Sequence, residues 1–289
     1  MAEPLWTIGE IVSATRGASL GAHATPVAGL SIDSRSIADG ECFVAIRGPN
    51  RDGHSFVQGA LAAGAACAIV DRSFPSGDEE RLVRVEDTLE ALNAVGRASR
   101  DRATDTVVIG VTGSAGKTGT KEALKVALTP SGSVHASIKS FNNHWGVPLS
   151  LSNMLRGTRF GVFEIGMNHA GEIDLLTRLV RPHIAIVTTI APVHLGFFRS
   201  IEEIADAKAE VFRGLEPGGI AIINRDNPHY ERLKNHAEHH GAKVVSFGEA
   251  KEADVRVIDR ELSADGSTVT ADILGETIGY RLNIPGRHI

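Results

Sequence analysis

The sequence predicts an α/β protein with a small N-terminal α/β domain over residues 1–103 and a doubly wound, mostly parallel-sheet domain with a phosphate loop over residues 104–289. Apolar runs alternate with helical patterns after residue 104, which is typical of strands joined by crossover helices. A charged, polar stretch over residues 99–105 separates this region from the apolar-periodic segment before it. We take this stretch as the domain boundary.

The individual elements follow from composition and periodicity. In the first domain the strand candidates are residues 27–32, 42–46 and 66–70, and the helix candidate is residues 56–63. In the second domain the strand candidates are residues 106–110, 160–165, 184–190 and 219–224. A helix-forming segment over residues 121–128 follows the first of these strands.

Composition limits the function classes. The chain has 289 residues, 42% of them hydrophobic, which is enough for two cores. The net charge of −5 gives no basic surface for nucleic acid, so we expect no nucleic-acid partner. No apolar run is long enough to cross a bilayer and the N-terminus lacks a leader pattern, so we expect a cytoplasmic protein without membrane insertion. Cys42 and Cys67 lie among strand-like residues and are predicted to be small buried hydrophobes.

The most informative motif is VVIGVTGSAGKTGT over residues 107–120. A β-branched run ends in a glycine turn, then Lys-Thr, then a helix, an order that builds a phosphate cradle. Val111 stands where the strict Walker pattern has its first glycine, so this is a shorter GxxGKT loop. A chance glycine-rich turn does not explain Lys-Thr at this offset between strand and helix. The predicted nucleotide-binding residues of the loop are Gly113, Ser114, Ala115, Gly116, Lys117 and Thr118.

Within this loop two side chains have distinct predicted roles. Lys117 is predicted to hold the β- and γ-phosphates, and the Thr118 hydroxyl to ligate Mg²⁺. Ligands of parallel sheets bind beyond the carboxyl ends of the strands. The polar residues after the other strands, Glu164, His194 and Asn224, are therefore predicted to join the same site. A carboxylate such as Glu164 can bind Mg²⁺, although a strand-end glutamate that faces solvent is an equal alternative.

Lys208 gives a less obvious signal. Ser200 and Glu203 form a capping-box pattern at the start of a helix. Lys208 then falls on the apolar stripe of that helix, where an ammonium is costly unless it is paired, neutralised or modified. A lysine that extends its amine to the helix edge is the ordinary alternative. The functional interpretation is a lysine that serves the nucleotide site.

Ordered blocks extend along nearly the whole chain. They are SIDSRSIADGECFVAIRGPNRDGHSF, AAGAACAIV, TGSAGKT, FNNHWGVPLSL, EIGMNHAGEI, TTIAPVHLGFFRSIEEIADAKAEVF, INRDN and PGRH. These blocks resemble those of the Mur ligase family, and within it the branch that adds D-alanyl-D-alanine in peptidoglycan synthesis. The resemblance implies an ATP-dependent amide ligase with ATP and two Mg²⁺ ions as cofactors.

The resemblance also implies roles for particular residues. The first domain would hold the UDP moiety through Ser34, Arg35 and Asn50. Asn142 and Asn143 would contact the muramoyl-diphosphate portion of the substrate. The implied metal and catalytic residues are Lys117 on the ATP phosphates, Thr118 and Glu164 on one Mg²⁺, His194 on a second, and Lys208, whose family position is carbamylated in several members.

The implied reaction transfers the γ-phosphoryl group of ATP to the terminal carboxylate of UDP-N-acetylmuramoyl-tripeptide. The amine of D-alanyl-D-alanine attacks the resulting acyl phosphate, and phosphate leaves. Such chemistry needs positioning and charge neutralisation rather than a protein nucleophile. We expect a monomer whose partners are UDP-N-acetylmuramoyl-tripeptide and D-alanyl-D-alanine.

Departures and alternatives remain. Gly119 stands where many relatives have threonine, and TTIAP replaces the more usual TNIG. The family continues beyond PGRHI into a third domain, so we expect this chain to bind ligands but to ligate poorly. A related ligase could add the third amino acid, or glutamates to folate, although the DSR and FNN blocks argue against folate. A non-catalytic nucleotide-binding or regulatory protein is the alternative from another class.

Overall fold

The computed structural model describes residues 3–75, 77–138, 141–193 and 196–283. The chain forms two compact units, residues 1–108 with 121–165 and residues 109–120 with 166–289, and each is described by itself. The predicted domain boundary near residue 103 stays a prediction. Among the helices of the described ranges, none is both long and apolar enough to cross a membrane.

The N-terminal part of the first unit is built on a four-stranded parallel sheet in the order β3-β4-β5-β6. Its strands are β1 (Trp6–Thr7), β2 (Pro26–Val27), β3 (Leu30–Ser31), β4 (Cys42–Val44), β5 (Cys67–Asp71) and β6 (Leu82–Val85), of which β1 and β2 form a separate antiparallel pair. Its helices are α1 (Ile8–Thr15), α2 (Val57–Ala62) and α3 (Thr88–Arg102). The predicted strand over residues 27–32 is divided between β2 and β3, which belong to different sheets. The predicted strand over 66–70 is displaced by one residue, and the predicted strand over 42–46 and helix over 56–63 are confirmed at shorter lengths. Cys42 and Cys67 are free thiols in the core, as expected.

The elements α1, β6 and α3 were not predicted. The start of α1 nevertheless has a local signal, since Thr7 and Glu10 form a capping box with hydrogen bonds of 3.2 and 2.8 Å. Asp87 caps α3 by accepting hydrogen bonds from two backbone N–H groups. Both helices bury an apolar face against the sheet.

The first unit also contains residues 121–165. Its further elements are most of α4 (Lys117–Leu128), β8 (Val134–Ala136), α5 (Gly146–Ser152) and β9 (Phe160–Glu164), and β8 pairs with β9 in parallel. Helix α5 packs on α3, where a Cβ at Gly96 would lie 3.1 Å from the Pro148 oxygen. The Asn153 side chain pairs with the Leu30 backbone at 2.8 and 2.9 Å, which ties the end of α5 to β3.

The second unit contains a mostly parallel sheet. The strand order is β15-β14-β13-β12-β11-β10-β7, and only the β13-β14-β15 part is antiparallel. The strands are β7 (Val107–Thr112, which begins in the first unit), β10 (Ile184–Val187), β11 (Ile220–Asn224), β12 (Lys243–Gly248), β13 (Val255–Ser263), β14 (Gly266–Ile273) and β15 (Glu276–Leu282). The helices are α6 (Glu172–Val180), α7 (Ile201–Ala209) and α8 (Tyr230–His239). The predicted α/β class is confirmed.

The register of the second unit brings three loops to one edge. Val187 at the end of β10 is level with Thr112 at the end of β7 and with Ile223 near the end of β11. Because these strands are parallel, the segments that follow them emerge side by side. The phosphate loop, the loop after β10 and the turn after β11 therefore meet at this edge.

Candidate nucleotide site

The phosphate loop joins β7 to α4 through two glycines in the positive-φ region. Gly113 has φ of 146° and Gly116 has φ of 83°. A Cβ at Gly113 would lie 1.9 Å from Thr188 Oγ1, which is well inside any allowed contact. The loop and the end of β10 are therefore close enough that only glycine fits at position 113.

The loop after β10 holds the phosphate loop by several hydrogen bonds. Thr188 Oγ1 donates to the Ala115 oxygen at 2.5 Å, and Ser114 N donates to the Thr189 oxygen at 2.8 Å. Ser114 Oγ donates to the Ala191 oxygen at 3.0 Å and accepts from the Ala191 N–H at 2.9 Å. These bonds use the Ala115 carbonyl, the Ser114 N–H and the Ser114 hydroxyl of the phosphate loop, and they fix the shape of the loop.

Lys117 and Thr118 open helix α4. Lys117 is half-buried, and its Nζ donates to the Gly113 oxygen at 2.7 Å. The Thr118 side chain lies on the exposed surface of the first turn. The N-terminal end of a helix carries orphan N–H groups and a partial positive charge, which favour a bound anion. The loop, the lysine and the helix end together suit a polyphosphate.

Asn224 and Asn227 support the loop after β10 from the turn after β11. Asn224 Nδ2 donates to the Thr188 oxygen at 3.3 Å. Asn227 Nδ2 donates to Thr189 Oγ1 at 3.1 Å and to the Ile190 oxygen at 2.9 Å. The sequence analysis named Asn224 but missed Asn227, which belongs to the same INRDN block. A contact of Asn224 with nucleotide stays a prediction.

Lys208 is buried on α7, with only 1% of its surface exposed. Burial, together with the positive charge of Lys117, lowers its pKa to about 7. Ser200 caps the helix by accepting from the Glu203 N–H at 3.3 Å, which is the first half of the predicted capping box, while the Glu203 carboxylate accepts from the Arg199 N–H at 2.8 Å in place of Ser200. The predicted burial is confirmed, and a lysine extended to the helix edge is wrong here. A large fraction of this amine is neutral near pH 7.

Glu210, two residues further on, was missed by the sequence analysis. Its buried carboxylate accepts from the Gly171 N–H at 2.7 Å and from the Asp174 N–H at 3.1 Å. Burial raises the pKa of this carboxyl. Glu210 thus caps the N-terminal end of α6 from another element, a tertiary contact that has no local sequence signal.

In the first unit, Glu164 lies at the carboxyl end of β9 and is 1% exposed. The alternative of a solvent-facing glutamate is therefore wrong. Glu164 Oε1 accepts from Asn142 Nδ2 at 2.7 Å, and its backbone N–H donates to Ser137 Oγ at 3.3 Å. Asn143 Oδ1 accepts from the Gly146 N–H at 2.9 Å at the start of α5. Both asparagines thus make protein contacts, and their substrate contacts stay predictions.

The other predicted substrate residues also lie in the first unit. Ser34 and Arg35 follow β3, and Asn50 lies in the loop after β4, so both segments extend from carboxyl ends of parallel strands. Arg35 is exposed and forms two hydrogen bonds with Asp33, at 2.8 and 2.7 Å. Their roles in UDP binding stay predictions. His194 and the PGRH block, residues 285–288, lie outside the described residues.

A parallel α/β sheet with a glycine loop and Lys-Thr between a strand and a helix defines the P-loop class of protein. Two family descriptions match the chain: "Mur ligase family, catalytic domain" over residues 26–100 and "Mur ligase middle domain" over residues 111–289. The chain belongs to the Mur ligase family. The resemblance read from the sequence blocks is confirmed.

Individual relatives agree with this family. The UDP-N-acetylmuramoyl-tripeptide--D-alanyl-D-alanine ligase of Rickettsia prowazekii is 37% identical over 79% of this chain and 51% of its own length. MurF from Acinetobacter baumannii has a TM-score of 0.89 at 31% identity, covering 99% of this chain and 62% of that chain. MurF ligase from Thermotoga maritima, solved in complex with ADP, has a TM-score of 0.76 at 27% identity, covering 88% of this chain and 58% of that chain. The chain spans between about half and three fifths of the length of these relatives.

Proposed function

We propose that this protein is an ATP-dependent amide ligase that joins D-alanyl-D-alanine to UDP-N-acetylmuramoyl-tripeptide through an acyl phosphate. The observation that carries the proposal is the rigid phosphate loop over residues 113–118, in a chain of the Mur ligase family. The names of the relatives support the substrates. The protein acts as a cytoplasmic monomer, and sedimentation of the purified chain tests the monomer.

ATP binds with its phosphates at the backbone N–H groups of the loop and of the first turn of α4, apart from that of Ser114, which donates to the Thr189 oxygen, and Lys117 neutralises their charge. The structure of this loop fits the ligand, since its carbonyls are used internally while the helix end offers N–H donors. The ADP complex of the Thermotoga relative supports the same ligand. Asn224 holds the neighbouring loop and completes the nucleotide site.

Two Mg²⁺ ions accompany the nucleotide. The Thr118 hydroxyl and the Glu164 carboxylate would hold one ion, and His194 would hold the second. An oxygen-rich donor set suits a hard cation, and the Glu164 carboxylate is already oriented by Asn142. The ions would supply charge neutralisation during phosphoryl transfer.

Lys208 is proposed to carry a carbamate. Its neutral amine, favoured by burial, adds to carbon dioxide and loses one proton, which turns a buried cation into a carboxylate directed at metal. ¹³C NMR of the chain in ¹³C-bicarbonate tests this step. A carbamate signal that is lost in Lys208→Met supports it, and the same signals in both proteins would contradict it.

Ser34, Arg35 and Asn50 are proposed to bind the UDP moiety, with Asn142 and Asn143 near the muramoyl diphosphate. The loops after β3 and β4 lie where ligands of parallel sheets bind. Because Asn142 also holds Glu164, the same side chain would relay substrate position to the metal ligand.

Titration calorimetry of the chain tests the function directly. We expect ADP binding that is lost in Lys117→Met, and tighter binding of UDP-muramoyl-tripeptide than of the dipeptide form or UDP alone. Tighter binding of the dipeptide form than of the tripeptide would favour the ligase that adds the third amino acid. A folded chain that binds ADP but no UDP ligand would favour the regulatory alternative.

A further inference from the structure

Lys121 is a buried cation that the proposed chemistry does not use. It lies one turn into α4, and none of its surface is exposed. Its Nζ donates to the Ser137 oxygen at 2.7 Å and lies 2.8 Å from Glu122 Oε1, whose side chain is about half exposed. An ammonium is expensive to bury, and an apolar side chain of similar length would often be as stable. A buried ammonium therefore depends on the contacts that Ser137 and Glu122 provide.

The carbonyl that Lys121 contacts belongs to a junction residue. Ser137 follows β8 and is 2% exposed. Its N–H donates to the Val162 oxygen at 3.1 Å, and its Oγ accepts from the Glu164 N–H at 3.3 Å. Ser137 therefore binds β9 through both its backbone and its side chain, at the strand end where Glu164 lies.

Two further groups complete this cluster within the first unit. Ser150 Oγ donates to Ser137 Oγ at 3.4 Å, and His135 Nε2 lies 3.2 Å from Ser150 Oγ. Burial lowers the pKa of His135 to about 4, so this ring is neutral at pH 7. The Lys121 ammonium makes the hydrogen bond to Ser137 charge-assisted and correspondingly strong.

We propose that Lys121 is a positioning residue for Glu164: it fixes Ser137, which fixes the backbone of Glu164, while Asn142 fixes the carboxylate. This inference rests on the proposed function of Glu164 as a metal ligand. Residues that orient a metal ligand typically contribute about 10- to 100-fold in metal affinity. Because Lys121 acts on Glu164 through two hydrogen bonds, we expect its loss to weaken metal affinity about tenfold, the lower end of that range.

The test measures Mn²⁺ binding to the ADP complex of the chain by electron paramagnetic resonance. Lys121→Met keeps the side-chain length and removes the charge, and Ser137→Ala removes the hydroxyl that accepts from Glu164. Lys125→Met is the matched control, since Lys125 is exposed on the same helix. Glu164→Gln shows how far Mn²⁺ affinity falls when the proposed metal ligand itself is removed. ADP affinity in EDTA and thermal unfolding are measured for every variant.

We expect Lys121→Met and Ser137→Ala to weaken Mn²⁺ binding about tenfold, with ADP affinity in EDTA within about twofold of the parent. Lys125→Met should change neither. Unchanged Mn²⁺ affinity in both variants, beside a clear loss in Glu164→Gln, would overturn the positioning role alone. If Lys121→Met does not fold, Ser137→Ala decides the question. Unchanged Mn²⁺ affinity in Glu164→Gln would instead refute the proposed metal role, and this inference with it.

Discussion

Replacing Lys208 by methionine should change how stability depends on pH. In the folded chain burial, aided by the charge of Lys117, lowers the pKa of this amine to about 7, whereas a lysine in the unfolded chain titrates near 10.5. Between these values the unfolded state binds more protons than the folded state. The stability of the parent must therefore rise with pH across this window.

The magnitude follows from the two pKa values. One pKa unit corresponds to about 1.4 kcal/mol, so the full penalty for the buried amine is about 5 kcal/mol below pH 7. At pH 7 half of the folded amine is already neutral, and the penalty is about 4 kcal/mol; at pH 9 it falls to about 2 kcal/mol. Lys208→Met has no such group and keeps the packing of an unbranched chain. The parent should therefore gain about 2 kcal/mol relative to the variant between pH 7 and 9.

The assay is urea unfolding at pH 7, 8 and 9 in buffers free of carbon dioxide, because carbamate would hold the amine neutral. The exposed Lys251→Met variant is the control and should follow the parent. Lys208→Met should be the more stable protein at pH 7, with the difference shrinking as pH rises. Parallel pH profiles for parent and Lys208→Met would refute the idea that burial neutralises this lysine.

Four further substitutions test the site and the structure that supports it. Gly113→Ala should abolish ADP binding, because an alanine at this positive φ costs about 1–3 kcal/mol and its Cβ would overlap Thr188. Gly119→Ala is the control: nothing lies within 4 Å of the new Cβ, so the variant should keep ADP binding and gain up to about 1 kcal/mol in the stability of α4. Thr188→Val removes one hydrogen bond to the phosphate loop and should weaken ADP binding about fivefold by calorimetry, with no effect contradicting the supporting role. Asn153→Ala loses three hydrogen bonds and should lower the free energy of unfolding by about 2 kcal/mol. Its ADP affinity should stay unchanged, and weaker ADP binding would contradict a purely structural role for Asn153.

The parts of the site that the sequence predicts are those with a local cause. The phosphate loop depends on glycines and on a lysine at fixed offsets from a strand and a helix, all within 14 residues. The burial of Lys208 follows from the 3.6-residue period of one helix, and the observed exposure of 1% agrees with it. In both cases the residues from which the feature was predicted lie on the same secondary-structure element or on the next one along the chain.

The residues that the sequence analysis missed act across elements. Thr188 and Asn227 reach the phosphate loop and its support only because β7, β10 and β11 are adjacent and in register, which a strand pattern does not reveal. Glu210 caps α6 from 36 residues away. The antiparallel strands β13 to β15 were missed for another reason. The side chains of β13 and β15 are mostly exposed, and β14 buries Val269 and Ala271 between polar residues, so none of the three has the continuous buried apolar run that marked the other strands.

The charges of Lys117 and Lys208 connect the two chemical roles proposed for the second unit. As an ammonium, Lys208 is disfavoured by the nearby positive charge of Lys117, which contributes to its lowered pKa. As a carbamate, Lys208 would instead be favoured by that same charge. Lys117, the lysine proposed to receive the phosphates, would therefore promote both steps toward the proposed modification of Lys208, since it first favours the neutral amine and would then favour the anionic product. The buried lysine is costly as an unmodified cation, and this cost is what makes the position suited to modification.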